Sequence, residues 1–475
     1  MGVTAPKTLD APVDPPRIFG PAYRTATIGI LLVATLIAFE GMSVGVVMPQ
    51  VSKDLHAEAL YGISFSAFLI ASLFANVVSG LWSDRRGYTV PFLVGVLLFV
   101  AGMGLAGAAF SKEMFIVARA VQGLGAGTTI VALFVMIARV YPAEVRPRVF
   151  AGLSAAWVVP AMVGPAIAGF VGDRFGWEWV FYGIIPLVVP ALVMLVPALN
   201  RKPTEEAAPS TGPRSRPGLM ALAATCAAVG AGALLYGIQA YTDGSGLIGV
   251  AGVAALGYGL LIGVAGLAAL GYGLYRLLPP HALRFGRGLP TTVMMRGLFS
   301  AAFFGVNAYI PLALQEVKDF DATTAGIALT TGALGWSTGS YLQSRRDALP
   351  HKRIRLGAFC VMIGVLLTML SVLPGITGWV AVPAWIIAGF GMGLGMTTVS
   401  VTALKQSPLN EQGANSAALS VTDMLGSALT IGVGGALVNM IGHAPEQIAT
   451  GFIVISCLMA AIALAATLLS ARTAT

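Results

Sequence analysis

Charge is what this sequence has least of. Only 10% of its 475 residues are Asp, Glu, Lys or Arg, where a soluble globular chain carries about 25%. With 57% hydrophobic residues and a mean hydropathy of +0.84, a soluble fold would leave more apolar surface than one domain can bury. Cysteine is scarce too. Cys226, Cys360 and Cys457 lie far apart in apolar runs; their odd number and lack of CxxC spacing exclude a disulfide framework or thiolate metal site, and they read as small hydrophobes. The four histidines, His56, His281, His351 and His443, all fall near loops. No HExxH, nucleophile elbow or P-loop is present, so neither an enzyme nor a metal or cofactor is expected. The polar, Pro-rich stretch before Arg24 lacks the form of a cleaved signal peptide, so the first apolar run is expected to serve as the insertion signal.

What is there in abundance is apolar runs longer than about 18 residues without alternation, the mark of membrane-spanning helices and not of a barrel. Only such elements satisfy the backbone inside a bilayer. Runs bounded by charge or by Pro, Gly and Asn predict fourteen spans: 25–49, 59–81, 89–110, 114–138, 149–171, 179–198, 218–240, 246–275, 291–315, 322–343, 356–374, 379–403, 415–440 and 448–470. With both termini cytoplasmic, only Lys53, Lys112, Arg174 and Lys318 of the 28 basic residues fall on outer links, and Arg119 and Arg296 fall within spans. That asymmetry obeys the positive-inside rule. The net charge of +8 is therefore topology, and no nucleic-acid partner is expected.

The polar stretch 199–217 divides six spans from eight, and the basic connection 276–290 precedes the last six. The expected layout is a tail (1–24), a six-helix bundle (25–198), a cytoplasmic linker (199–217), two extra helices (218–290), a second six-helix bundle (291–470) and a short tail (471–475). Within the extra pair, LIGVAGVAALGYGL (247–260) is followed at once by LIGVAGLAALGYGL (261–274), which differs only at Val253 and Leu267. This tandem duplication predicts one overlong, tilted or protruding helix, since about 20 residues suffice for one crossing.

Three motifs carry chemistry. Gly80-Leu-Trp-Ser-Asp84-Arg85-Arg86-Gly87 follows the second span. Here Gly80 permits close helix approach, Gly87 a tight turn, and Asp84 is an anion able to pair with Arg146 or Arg148. In the fourth span, Arg119-Ala-Val-Gln122-Gly123-Leu-Gly125-Ala-Gly127 sets a charge and an amide beside a glycine surface. In the fifth, Pro160-Ala-Met-Val-Gly164-Pro165-Ala-Ile-Ala168-Gly169 breaks helical hydrogen bonds and makes a pliable site. The three resemble the loop signature G-x-L-x-D-R-x-G-R-K, the R-x-x-Q-G-x-G-A pattern and the antiporter Gly-Pro motif of major facilitator transporters. Trp82, Tyr88 and Thr89 depart from the first; Ala151, Pro160 and Ala168 stand for glycines of the third. Glu40, nine residues before Pro49, is similar in place to the acidic residue of the fourteen-span drug:proton antiporter branch. The last six spans match in layout only, Ser344-Arg345-Arg346 lacking the acid.

The resemblance implies an all-α membrane fold of two six-helix bundles plus two helices. It also implies a conformational latch at Gly80, Asp84, Arg85, Gly87, Arg146 and Arg148, and an antiporter hinge at Pro160, Gly164, Pro165 and Gly169. The Ala/Gly/Val-rich composition resembles actinobacterial members, which implies a bacterial plasma membrane. A monomer is expected.

Four charges lie within spans: Glu40, Arg119, Arg296 and Asp423. They sum to zero, as paired buried charges must, and are expected to form one pair per bundle at different depths. Proton-driven export needs a carboxylate that gains a proton when its site dries and loses it when water or a cation returns. Glu40 is the first candidate, tuned by Arg119, and Asp423 the second. A fixed helix–helix clamp is the competing role for each pair. Phe39, Gln122, Trp157, Asn307, Tyr309 and Met396 are candidates for a midplane substrate cavity. So few buried charges point to lipophilic, neutral or monocationic substrates. The expected function is proton-coupled efflux; uptake of a nutrient by symport or facilitation, or export of a lipid or metabolite, are the alternatives.

Overall fold

A computed structural model describes residues 18–21, 23–56, 60–142, 144–200, 217–245, 250–345, 349–408 and 411–474. Most of the expected N-terminal tail, 201–216 of the linker, Arg346 and the first three residues of the duplication lie outside the described residues. The chain is a succession of helices: α1 (Arg24–Asp54), α2 (Leu60–Arg86), α3 (Thr89–Gly107), α4 (Lys112–Val140), α5 (Arg146–Phe175), α6 (Glu178–Tyr182), α7 (Ile185–Leu199), α8 (Pro217–Ser245) and α9 (Val250–Leu277). They continue as α10 (Leu289–Asn307), α11 (Ile310–Lys318), α12 (Ala322–Arg345), α13 (Pro350–Met369), α14 (Ala381–Gln406), α15 (Gln412–Ile441) and α16 (Pro445–Leu469).

Two expected spans are broken. Pro186 and Pro311 supply no backbone N–H, and the chain loosens just before each, giving the α6/α7 and α10/α11 joints. Counting each joint as one crossing, the described helices make fourteen crossings, thirteen of them long and apolar enough by composition. The exception is α12, rich in Thr and Ser. Two of its hydroxyls are absorbed locally: Thr331 donates to the Ala328 carbonyl at 2.7 Å and Thr338 to the Leu334 carbonyl at 2.8 Å, which lowers the cost of placing them among helices.

Packing separates two groups. In the first, α1 packs on α5 and α7, and α4 on α2 and α3; in the second, α14 packs on α12 and α13, and α10 on α15 and α16. The groups meet along two seams, α5 against α12 and α2 against α15. Thr27 hydrogen-bonds Tyr141, and Gly288 N–H donates to the Arg472 carbonyl. These bonds bring the starts of α1 and α10, the end of α4 and the C-terminal turn to one face. Arg85, Arg86, Arg139, Arg284, Lys405 and Arg472 gather there; this is called the basic face below.

The extra helices form a hairpin. Gly259, Gly266 and Gly273 of α9 recur every seven residues and lie against the backbone of α8, where an added Cβ would come within 2.8 Å of Tyr241 N, 2.5 Å of Leu234 N and 2.6 Å of the Ala223 carbonyl oxygen. The duplication adds fourteen residues, two heptads, so it lengthens α9 without rotating this face away from α8. At 28 residues, α9 is about 42 Å long, no longer than α1 and α15, which run 31 and 30 residues. Among the described residues α8 packs the pair against α2 and α15: Leu235 and Ser66 both lie against Gly432 of α15, and Asn439 donates to Gln239 at 3.3 Å.

Candidate functional site

Glu40 lies near the middle of α1 and Arg119 two turns into α4. Their side chains are 0% and 2% exposed. Arg119 Nη1 donates to Glu40 Oε1 and, at 2.6 Å, to Gln122 Oε1. The Phe68 ring of α2 covers the guanidinium, with Cζ 4.6 Å from the ring centroid, a cation–π contact that replaces lost hydration. Three polar atoms of this cluster are buried without a hydrogen-bond partner among the described residues: Glu40 Oε2, Gln122 Nε2 and Arg119 Nε. The carboxylate is thus held by one oxygen while the other is bare, which carries a desolvation cost.

The second pair is built differently. Arg296 of α10 grips Asp423 of α15 through Nε at 2.9 Å and Nη2 at 2.8 Å, both on Oδ2. Ser300, one turn after Arg296, donates to Asp423 Oδ1, and Arg296 Nη1 reaches Ser400 Oγ of α14 at 2.8 Å. Both carboxylate oxygens are therefore bonded. The side chains are 27% and 23% exposed, so water shares in the solvation.

The pairs differ in depth as well. Counted at 1.5 Å per residue, Arg119 lies about 10 Å from the end of α4 remote from the basic face, and Arg296 about 10 Å from the basic-face end of α10. At the face remote from the basic one, the two groups are sealed. Lys53 of α1 pairs with Glu316 of α11 at 2.7 Å, and Gln315 donates to the Val46 carbonyl at 2.9 Å. Asp173 at the end of α5 accepts from the Thr323 backbone at 3.0 Å and its hydroxyl at 2.7 Å. Next to this contact Asp321 caps α12, accepting from Thr324 N–H at 2.8 Å; the Thr324 hydrogen bonds hold the Asp321 carboxyl below the usual carboxylate range. Deeper in, Tyr61 of α2 donates to the Ala308 carbonyl at the α10/α11 joint at 2.7 Å, and Tyr309 donates to the Ile431 carbonyl of α15. Gly62 makes room for this, since a Cβ there would come 2.8 Å from Gly435 Cα.

Toward the basic face the α2–α15 seam runs on as far as Asn76, whose Nδ2 donates to Met424 Sδ at 3.2 Å. On α5, Phe150, Trp157 and Gly164 recur at seven-residue spacing and share one face. Gly164 is seated on α1, where an added Cβ would meet Ser43 Oγ at 3.1 Å and Phe39 at 3.4 Å. Nearer the basic face the same stripe is open: Trp157 and Phe150 are exposed, and Phe134 of α4 lies with its ring 5.8 Å from that of Phe150. Half-buried Phe39 and exposed Trp157, both cavity candidates, thus share an apolar surface with Phe150 and Phe134, which the sequence alone did not single out.

The other cavity candidates are placed differently. Gln122 is buried and engaged by Arg119. Asn307 is half-buried and accepts from Trp385 Nε1 at 3.2 Å. Tyr309 belongs to the seal, and Met396 is buried; neither reaches an open wall in this conformation. The latch residues also depart from expectation. Asp84, Arg85 and Arg86 lie in the last turn of α2, where cations complement the helix dipole, and Gly87 makes the turn with φ +81°. Among the described residues Asp84 forms no ion pair: Arg146 instead donates through Nε to the Tyr141 carbonyl at 2.8 Å, Arg148 is exposed, and Arg139 Nη2 lies 3.5 Å from the Ser83 carbonyl. The hinge residues are contacts: Gly169 meets the start of α12, and the Pro165 carbonyl lies against Gly326. Both prolines sit inside one continuous helix.

The Major Facilitator Superfamily model matches residues 30–299 and 289–431. The chain is 27% identical over 444 residues to the MFS-type transporter phomT of Diaporthe leptostromiformis, covering 88% of this chain and 73% of that protein. It is 22% identical over 396 residues to the multidrug efflux pump SdrM of Staphylococcus aureus (strain N315), covering 80% and 82%. Among solved structures, a bacterial homolog to the human lysosomal transporter Spinster, in an inward-facing and unoccupied conformation, superposes with a TM-score of 0.65 at 13% identity, over 96% of each chain. The helical architecture, the two seams and these matches converge: the chain is a multi-pass membrane transporter, not an enzyme, and belongs to the Major Facilitator Superfamily.

Proposed function

We propose that this transporter is a proton-coupled antiporter that exports lipophilic small molecules, neutral or monocationic, across a bacterial plasma membrane by alternating access. In this reading the basic face is cytoplasmic, by the positive-inside rule, and the structure is open to the inside. The observation that carries the proposal is the Glu40 carboxylate: wholly buried, fixed by Arg119 through one oxygen and bare at the other. Oε2 is the free place for a proton, and when one binds, Gln122 Oε1 and the Phe68 face still hold the Arg119 charge.

The cycle follows from the geometry. With the inner side open, a lipophilic substrate enters against Phe39, Phe134, Phe150 and Trp157, an adaptable apolar wall. To present Glu40 to the outside, the Lys53–Glu316, Asp173–Thr323 and Tyr61–Ala308 contacts must break while the inner halves of α5 and α12 close. A proton taken up from outside then travels on Glu40 as the substrate leaves. Kinship with efflux pumps supports the export direction.

The test uses everted membrane vesicles carrying the protein and energised acid inside. A panel of lipophilic cations and neutral drugs is added, and a pH-sensitive dye follows the gradient. Substrate-dependent collapse of the gradient, lost in Glu40→Gln, is the expected result. Undiminished exchange by Glu40→Gln would remove Glu40 from the coupling role.

A further inference from the structure

Neither inserted helix carries a residue of the two charge pairs, yet one of them lies against both halves. The α9 helix packs on α8 through its glycine stripe, whereas α8 packs on α2 and on α15. It therefore lies across the line where the two six-helix groups meet. Another side of α8 carries the exposed Leu222, Val229 and Tyr236, a surface suited to lipid tails.

One side chain touches the meeting line itself. Leu235 is 8% exposed, and a Cβ added to Gly432 of α15 would come 2.6 Å from Leu235 Cδ1 and 2.9 Å from Ser66 Oγ of α2. Glycine at 432 thus leaves a notch that α8 fills from one side and α2 from the other. Ser66 in turn donates to the Ala428 carbonyl of α15 at 2.8 Å, one turn before Gly432. One turn beyond Leu235, Gln239 accepts from Asn439 of α15 at 3.3 Å, a polar tie between helices where no water competes. Next outward, Gly62 lies on Gly435 beside the Tyr61–Ala308 and Tyr309–Ile431 bonds. Counted at 1.5 Å per residue, Gly432 is about 14 Å from the α15 end remote from the basic face, so Leu235 stands behind the seal.

Toward the basic face α8 fits more loosely. Ala224, Ala228 and Ala231 share the face of Leu235 and are buried, but a methyl group offers little to grip. Beside them a cleft of about 400 Å³ opens between α8, α2 and α4, lined by Ala71, Phe74, Ala120, Thr225, Ala228 and Val229.

We propose that α8 is a lipid-side latch on the closed seal: tied to α15 through Gln239 and Asn439, it presses Leu235 into the α2–α15 line and holds the transporter open to the inside. This rests on the alternating-access reading, in which the seal must open. When α2 and α15 part there, Leu235 keeps at most one of its two neighbours. Among lipids that loss is one of packing. It falls on the open-seal state alone, and such a difference is what moves a two-state equilibrium.

The test follows the seal directly. In full-length protein with Cys226, Cys360 and Cys457 replaced by serine, Arg174→Cys and Glu446→Cys carry spin labels at exposed positions on opposite halves of the remote face. Pulsed dipolar spectroscopy in liposomes should resolve a short, seal-closed population and a long one. Leu235→Ala should raise the long-to-short ratio about tenfold. Leu235→Met, which refills the notch with a flexible side chain, should restore the starting ratio. Asn439→Leu, which unties α8 while keeping the side-chain size, should raise the ratio by less, and it carries the test where Leu235→Ala does not fold. A ratio unchanged in both Leu235→Ala and Asn439→Leu, a shift toward the short population, or an equal rise in Leu235→Met would overturn the latch. If instead the long population is absent from every protein at every pH and with every compound of the vesicle panel, alternating access itself fails and the latch with it.

Discussion

The two halves of the transporter each hold an acid–arginine pair inside the membrane, and the pairs are opposites in construction. Glu40–Arg119 is dry, covered by Phe68, and leaves buried polar atoms unpaired. Asp423–Arg296 is about a quarter exposed, and Ser300 and Ser400 complete its hydrogen bonds. The fully bonded, partly wet pair ties α10, α14 and α15 together, and in the proposed reading it is the clamp. The dry pair leaves one carboxylate oxygen as an open place for a proton, while Gln122 Oε1 and the Phe68 face also hold the Arg119 guanidinium. Equal chemistry thus serves two purposes, separated by water and by two serines.

The contrast can be broken at its strongest point first. Arg119→Met should be the most disruptive substitution, about 3–5 kcal/mol, because it strands a charge with no access to water. Pairing it with Glu40→Leu should recover most of the loss, read as thermal stability in detergent. Arg296→Met should cost less, about 1.5–3 kcal/mol, since water reaches Asp423; equal losses at the two sites would contradict the distinction. Ser300→Ala removes one bond to the clamp and should cost about 1–2 kcal/mol with no change in proton-driven exchange. The smallest effect lies away from both pairs. Asp321→Ala, which uncaps α12 at the seal, should cost about 1 kcal/mol. Because folding lowers the Asp321 carboxyl, its contribution is complete above the ordinary carboxylate range and fades as pH falls through the lower folded-state value. The wild type and variant should therefore converge in acid and differ at neutral pH in thermal melts.

The sequence made part of this legible. Long apolar runs announced fourteen crossings, and rarity alone marked Glu40, Arg119, Arg296 and Asp423, because an intramembrane charge is too costly to be incidental. Their partners could be guessed from charge balance, but the difference in wetness could not. It depends on Phe68, Ser300 and Ser400, ordinary residues whose meaning comes from neighbours distant in sequence. Ser300 lies one helical turn after Arg296, and that spacing was the only local hint. Tyr61 is unremarkable in an apolar helix and Tyr309 reads as a cavity residue; they form the seal only once α2 and α15 are set side by side. The latch depends on distant neighbours in the same way. The motif around Asp84 names an anion at a turn, but its partner depends on which face of the protein is closed.

The most direct test of the dry-switch and wet-clamp account compares Glu40→Gln with Asp423→Asn in the same everted vesicles, at matched amounts of folded protein. The account predicts that substrate-driven collapse of the proton gradient is lost in Glu40→Gln and retained in Asp423→Asn. Retention in Glu40→Gln with loss in Asp423→Asn would contradict it and move proton coupling to the second half.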